Sequence, residues 1–379
     1  MYSIPTLIAF GSCAGLFGYE NAEMFRTIDL LSPDAFIWLG DVVYADEMSS
    51  PLSFTPTSHD VWAKKFTDMK DADGYKELRS HRRILGVWDD HDYGTDGGNK
   101  HNPSKEFARQ VYLEFLDEKP ESPRWTRAGG IYESYYIEAP DGSGRNVKVI
   151  LLDVRFSADE WRPDGDCLGE EQWTWLENEL KTPGNLTVIG SGLQVTAEDR
   201  FNIFERWHDR SRERLHRLLN RSPNVILLSG DIHFSEILLD TCQTYPLYEF
   251  TSSGMTHTIS TTFGILHHIF TDILLPYTNN VGHRVFDKNF GLIAVDWNMP
   301  DPVVTLSIHD TNGKSLLSHS FGLRALSEAP VKDSNCSVLP IERYRKHVIW
   351  SLVKYIIPVL LAGYAIRTYN LWARKPKRK

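Results

Sequence analysis

Six apolar runs in this chain each end in a polar cluster, and that repetition constrains the fold more than any other feature. Thr6–Phe10 ends in Gly11-Ser12-Cys13, Ala35–Leu39 in Gly40-Asp41-Val42-Val43-Tyr44, and Ile84–Val87 in Trp88-Asp89-Asp90-His91-Asp92. Val147–Leu152 ends in Asp153-Val154-Arg155, Leu186–Ile189 in Gly190-Ser191-Gly192-Leu193-Gln194, and Val225–Leu228 in Ser229-Gly230-Asp231-Ile232-His233. Runs of this length and composition read as buried strands. Helical patterns lie between them at Ala22–Leu31, Glu106–Leu116, Glu170–Leu180 and Arg206–Leu219. Alternation of the two predicts a layered α/β fold whose sheet is covered on both faces. In such sheets ligands bind at the carboxyl ends of the strands, so the six polar ends predict one shared pocket. Later strands at Leu247–Thr251, Gly291–Trp297 and Val303–His309 read as a second sheet packed on the first, with Asp310-Thr311-Asn312-Gly313 turning into Ser315–Phe321.

The 379 residues favour one large domain or two small ones, and 41% hydrophobic content with 11 Trp supports a substantial core. A net charge of −9 argues against nucleic acid as the main partner. It leaves a phosphate ester open, because bound cations invert the sign of a site locally. Cys13, Cys167, Cys242 and Cys336 are scattered, and one disulfide among the last three is open. Tyr2 to Cys13 lacks the basic start of a secretory signal and reads as fold.

A Gly-Asp pair after one strand is ordinarily a turn. The weight lies in the joint pattern: Asp41, Asp90, Asp231 and His233 are metal-ligand types placed where strand ends converge. Carboxylates gathered so closely repel, and a cation relieves that repulsion.

Gly40-Asp41, Asp89-Asp90-His91-Asp92 and Gly230-Asp231-Ile232-His233 resemble the motifs of the calcineurin-like metallophosphoesterases. Within them the chain looks like a PhoD-type alkaline phosphatase, on Gly11-Ser12-Cys13, Leu39 to Tyr44, Trp88 to Asp92, Leu152 to Arg155, Ser229 to His233 and Glu249 to Ser253. The resemblance runs over residues 6 to 321 and implies a four-layer α/β/β/α sandwich of two packed mixed sheets, to which the apolar composition of residues 348–366 adds a C-terminal hydrophobic helix. It implies a metal-dependent phosphoric-ester hydrolase, a phosphomonoesterase using a water activated by two metals. Cys13 stands where the broader family has D-x-H, and Tyr44 after Asp41 is similar to the purple acid phosphatases. Thiolate and phenolate donors suit Fe(III), so Cys13, Tyr44 and His233 with a bridging Asp41 form one expected site. Asp41, Asp90 and Asp231, with Gln194 as a further ligand, form an oxygen-rich site for Ca²⁺ or Mg²⁺. His91 is the expected general acid, Asp92 its orienting carboxylate, and Arg155 a clamp on phosphoryl oxygens or else a salt-bridge partner of Asp153 or a nearby acid. The alternatives are a phosphodiesterase or phospholipase-like enzyme on a membrane-borne substrate, or an inactive metal-binding scaffold.

The catalytic domain is expected over 1–324 and a polar linker over 325–347. Residues 348–366 read as a membrane span, with a buried or interfacial helix as the alternative; Lys354 one turn in would snorkel to the headgroups. The tail 367–379 is basic, and Lys375 and Lys377 resemble a dilysine signal of the endoplasmic reticulum. The side of the membrane taken by the catalytic domain stays open. His208 and His216 read as part of a solvated basic helix face. His257, His267 and His268 lie in a stretch, Met255 to Val281, for which core packing, a lid and a membrane-facing loop are all open. Asn335-Cys336-Ser337 matches a glycosylation sequon, credible on a lumenal face.

Overall fold

The computed structural model describes residues 4–15, 22–50, 53–197, 205–276 and 279–373. Its strands are β1 (Thr6–Gly11), β2 (Ala35–Leu39), β3 (Glu47–Ser50), β4 (Ser53–Thr55), β5 (Arg83–Val87), β6 (Glu133–Glu138), β7 (Asn146–Leu151), β8 (Leu186–Gly190), β9 (Val225–Ser229), β10 (Ser235–Asp240), β11 (Leu247–Ser252), β12 (Asn289–Asp296), β13 (Val303–Asp310) and β14 (Ser315–Gly322). The helices are α1 (Ala22–Leu30), α2 (His59–Lys70), α3 (Tyr75–His81), α4 (Lys105–Phe115), α5 (Gly169–Glu179), α6 (Asp209–Leu219), α7 (Ile259–Phe263), α8 (His267–Leu274) and α9 (Pro340–Ala373).

Two mixed six-stranded sheets result, in the orders β14-β13-β12-β1-β2-β5 and β10-β11-β9-β8-β7-β6. The six strands with polar ends therefore do not share one sheet. Three of them, β1, β2 and β5, pair in parallel in the first, and β7, β8 and β9 pair in parallel in the second. The later strands are divided likewise, β11 joining β9 and β12 joining β1. Strand alternation explains the layering. Val147, Val149, Val188, Ile226 and Leu228 turn inward to one core with Ile8 and Phe10, while Ile150, Ile189, Val225 and Leu227 turn outward to Trp173, Leu176 and Leu215. Phe10 meets Phe250 edge-on across the inner layer, with ring centroids 4.8 Å apart. On the far side of the first sheet, Trp38 packs on Phe25, Tyr75 and Phe115 from α1, α3 and α4. The order is helices, sheet, sheet, helices, the expected α/β/β/α sandwich.

His208 and His216 are buried rather than solvated. His208 sits against the backbone of Arg162, and His216 is pushed down to about 4 by burial, with Arg212 adding to the shift and Asp240 opposing it. Among the four cysteines the bond forms between Cys242 and Cys336, 5.3 Å apart at Cα, which pins the linker to the turn after β10. Cys13 and Cys167 are buried thiols.

α9 runs beyond the apolar stretch at both ends and carries Pro358 within it. Pro340–Tyr369 is long and apolar enough to cross a membrane; its most apolar 18 residues have a mean hydropathy of 1.7 and are only 6% buried. Lys354 does not stand alone on it, since its Nζ lies 3.1 Å from Asp272 Oδ2 on α8. Lys375 and Lys377 lie outside the described residues.

Candidate metal centre

The polar strand ends of both sheets meet at one edge of the sandwich. Close approach is possible because two glycines leave room there. A Cβ on Gly40, whose φ is +84°, would stand 2.2 Å from Asp89 Cβ, and one on Gly192 would stand 2.5 Å from Asp89 Cγ. Backbone hydrogen bonds stitch the loops together, Ala14 N–H to Asp41 O at 2.7 Å and Gly230 N–H to Gly192 O at 2.8 Å.

Four residues at this junction hold left-handed backbone: Cys13 (φ 59°), Asp41 (φ 51°), Asp231 (φ 70°) and His233 (φ 56°). Each such conformation costs a non-glycine residue roughly 1–3 kcal/mol and persists where the surroundings enforce it. All four are metal-ligand types expected from the sequence.

Their side chains converge in three overlapping groups. Ligand atoms of Cys13, Asp41 and His233 lie within 4.8 Å of one another, as do those of Asp41, Asp90 and His91, and those of Asp89, Asp90 and Asp231. Tyr44 joins the first group, its hydroxyl 3.0 Å from His233 Nε2. The Gln194 side chain is fixed by its amide nitrogen, which donates to Glu236 and Thr251, both at 2.9 Å.

Buried oxygens with no hydrogen-bond partner among the described residues mark the centre: Asp41 Oδ1, Asp89 Oδ2 and Asp231 Oδ2. Burial, reinforced by Asp90 and Asp89 against the pull of His91, pushes the Asp41 carboxyl well up. Burial with Asp89, Glu205 and Asp90 does the same to Asp231. Burial and Asp41 raise the Cys13 thiol. Burial lowers His233 to about 4 and takes His257 well below its ordinary value, leaving both imidazoles neutral. A crowd of desolvated acids beside neutral imidazoles is the donor set that a cation stabilises, returning the acids to their ionised form. The residues fit bound metal.

Asp90 behaves differently from its neighbours. Burial works against its ionised form, yet Arg155, His91 and the N–H groups of Gly97 and His91 outweigh it and lower its value. The Arg155 guanidinium is buried among three acids. Its Nε contacts Asp89 Oδ1, Nη2 lies 3.6 Å from Asp90 Oδ1, and Nη1 lies 2.5 Å from Glu205 Oε2. The Asp153 carboxylate instead accepts from Trp88 Nε1 and from the N–H groups of Ile131, Arg155 and Phe156. A cleft of about 250 Å³ opens beside Arg155, bounded by Gly97, Asn99, Trp161, Arg206 and His208.

The His91 ring packs against the rings of Tyr44 and Phe54, with centroids 4.1 and 4.5 Å away. Its Nδ1 meets Asp46 Oδ1 at 2.8 Å. Asp46, not Asp92, is thus the carboxylate facing His91. Asp92 turns away and accepts from the N–H groups of Val43 at 3.0 Å and Asp89 at 3.3 Å, bracing the two loops.

Sequence reasoning passed over three residues here. Asp46 follows Tyr44 by two positions and was masked by the stronger motif before it. Asp89 stands beside Asp90 in one acidic run, where spacing does not separate a second ligand from a structural carboxylate. His257 approaches from the Met255–Val281 stretch to put Nε2 2.9 Å from the Tyr44 hydroxyl and 3.3 Å from His233 Nε2. No local signal distinguishes it from a core histidine.

A family model of PhoD-like phosphatases matches residues 8–258. Among solved structures the chain is similar to PhoD, with a TM-score of 0.58 at 15% identity over 93% of this chain and 78% of that one. A 5'-nucleotidase precursor from Thermus thermophilus overlaps more loosely, with a TM-score of 0.38 at 11% identity over 93% of this chain and 59% of that one. No curated protein matches the sequence.

Proposed function

This chain belongs to the PhoD-like phosphatase family and is a phosphoric-ester hydrolase, and we propose that it cleaves phosphomonoesters at a two-metal centre built from Cys13, Asp41, Tyr44, Asp90, Asp231 and His233. The observation that carries this reading is the set of buried carboxylate oxygens without partners, Asp41 Oδ1, Asp89 Oδ2 and Asp231 Oδ2. Asp41 belongs to two of the three ligand groups and so suits a bridging role. The thiol, phenol and imidazole of Cys13, Tyr44 and His233 support Fe(III) on one side. The all-oxygen set of Asp41, Asp90 and Asp231 supports Ca²⁺ or Mg²⁺ on the other, with Gln194 and Asp89 as further oxygen donors. When bound, the pair supplies Lewis acidity and acidifies a water.

The protein's own groups then divide the remaining work. His91 donates a proton to the departing ester oxygen, held at Nδ1 by Asp46 and packed against the Tyr44 and Phe54 rings. Arg155 acts as countercharge to Asp89, Asp90 and Glu205, keeping Asp90 ionised and fixed. The cleft beside it gives a leaving group room.

The unburied apolar surface of α9 supports a single membrane crossing, with the catalytic domain over 1–324 and the linker over 325–347 on one side. The Cys242–Cys336 disulfide supports an oxidising, lumenal or extracellular side for that domain. Arg374, Lys375, Lys377 and Arg378 then face the cytosol, in keeping with the positive-inside tendency.

Metal analysis of the purified protein together with a phosphoester panel tests the reading. We expect iron with calcium or magnesium, and turnover of aryl and alkyl monoesters that Asp90→Ala abolishes. Faster turnover of diesters would move the assignment to a phosphodiesterase. Metal without turnover of either would leave a binding scaffold.

A further inference from the structure

The family match ends at residue 258, and the chain then makes a helical excursion before β12, through α7, a turn at Gly264–Leu266 and α8. Its far end touches α9. Asp272 accepts from the Tyr355 hydroxyl at 2.5 Å and pairs with Lys354 at 3.1 Å through one carboxylate oxygen, while its carbonyl accepts from Ser351 Oγ at 2.9 Å. Residues 351, 354 and 355 lie on one helix face, so Asp272 is a joint between the two helices.

The position of that joint matters. Beyond Lys354 the apolar stretch runs only from Tyr355 to Ile366 before Arg367. About 12 residues rise roughly 18 Å, well short of the ~30 Å hydrocarbon core. A crossing made by the most apolar part of α9 therefore includes the turns before Lys354, which places Lys354 below the headgroups. A charge there needs a partner, and Asp272 brings α8 with it.

The near end of the excursion is rooted beside the metal centre. In Asp231-Ile232-His233-Phe234 the polar residues face the ligand cluster and the apolar ones pack with Ile259 and Leu275, which bracket the excursion. Arg284, in the segment between α8 and β12, caps the far end of α8. Its Nη atoms donate to Leu275 O at 2.9 Å and Pro276 O at 2.5 Å, while its Nε pairs with Glu236 on β10 at 3.0 Å. Between these fixed points Phe263 and Leu266 stand 43% and 64% exposed.

We propose that the α7–α8 excursion is a second membrane-contacting element whose partner is the lipid surface itself. Joined to α9 at Asp272, it sinks its turn into the headgroup and upper acyl layer. The His233 and His257 side of the metal centre is thereby held at the bilayer, which favours a phosphoester presented from the membrane plane. This rests on the membrane-crossing reading of α9 given above.

The test uses the full-length protein in phosphatidylcholine vesicles carrying nitroxide-labelled lipid. An environment-sensitive fluorophore is placed at Leu266→Cys or, in α9, at Leu360→Cys; both native free thiols are buried. We expect lipid nitroxides to quench most of the emission at both positions. Quenching at 360 without quenching at 266 overturns the inference and leaves the crossing intact. Quenching at neither overturns both. Concentration-dependent shielding of position 266 in detergent, before lipid is added, would mean that a second copy covers the turn, and would also overturn it. Asp272→Asn should reduce quenching at 266, and the D272K/K354D swap should restore it. Quenching unchanged by Asp272→Asn would remove Asp272 as the joint.

Discussion

Replacing Asp46 by asparagine separates the charge behind His91 from the shape of the group that carries it. Asp46 Oδ1 faces His91 Nδ1 at 2.8 Å, and Oδ2 accepts the Asp96 N–H at 3.0 Å. An asparagine has one acceptor and one donor end, so it satisfies only one of these neighbours. If its oxygen turns to Asp96, its NH₂ meets Nδ1 and forces the proton to Nε2 of a neutral ring. If its oxygen turns to His91, the Asp96 N–H is left opposite a donor. A hydrogen bond to a charged group contributes about 1.5–3 kcal/mol, and each 1.36 kcal/mol is about tenfold in rate. The expected loss on a leaving group that needs protonation is therefore about 10- to 150-fold. The Coulomb attraction at about 4 Å and an effective dielectric of about 20 is roughly 4 kcal/mol, which caps the loss near 10³-fold. The assay compares kcat on alkyl and aryl phosphomonoesters, because an aryl oxide leaves with little protonation. Asp46→Asn should slow the alkyl substrate by the stated factor and the aryl substrate much less, with metal content unchanged. The pH profile adds a sign. Burial alone would lower the His91 value, but Asp90, Asp41 and Asp46 outweigh it and hold the imidazole well above its ordinary range. Removing one of those negative charges lowers the value, so the alkaline limb of kcat should move to lower pH. Equal losses on both substrates, or an alkaline limb that stays in place, would refute the assignment of His91 as the acid held by Asp46.

His257→Ala should weaken metal binding or turnover by about 10- to 100-fold, since its Nε2 lies 2.9 Å from the Tyr44 hydroxyl; metal titration that matches the wild type would show it to be a core histidine. Cys336→Ser opens a loop closed over a separation of 94 residues and should cost up to about 4.7 kcal/mol in the loop-entropy view; an unchanged melting temperature under oxidising conditions would mean that the bond does not form. Gly40→Ala forces a Cβ to within 2.2 Å of Asp89 Cβ at a φ of +84°, so a loss of about 1–3 kcal/mol is expected, read from the urea midpoint, with metal content falling as Asp89 shifts.

The chain's own spacing determined a good deal. Apolar runs with polar ends are local patterns, and they placed Asp41, Asp90, Asp231, His233, Cys13 and Tyr44 at strand termini, where the folded chain does bring them together. The layered α/β architecture followed from the same alternation, and the apolar C-terminal helix from composition alone. What tertiary structure decided were matters of partnership between distant segments. The strands divided three and three between two sheets, β1 pairing with the much later β12 and β7 with β6 just before it. Asp46 rather than Asp92 reached His91, across 45 positions, and His257 reached Tyr44 across 213. Arg155 met Asp89, Asp90 and Glu205, Cys336 chose Cys242, and Lys354 found Asp272. Periodicity reports which face of its own element a residue occupies. The identity of the group opposite depends on how whole layers stack, and that information is spread over the entire chain.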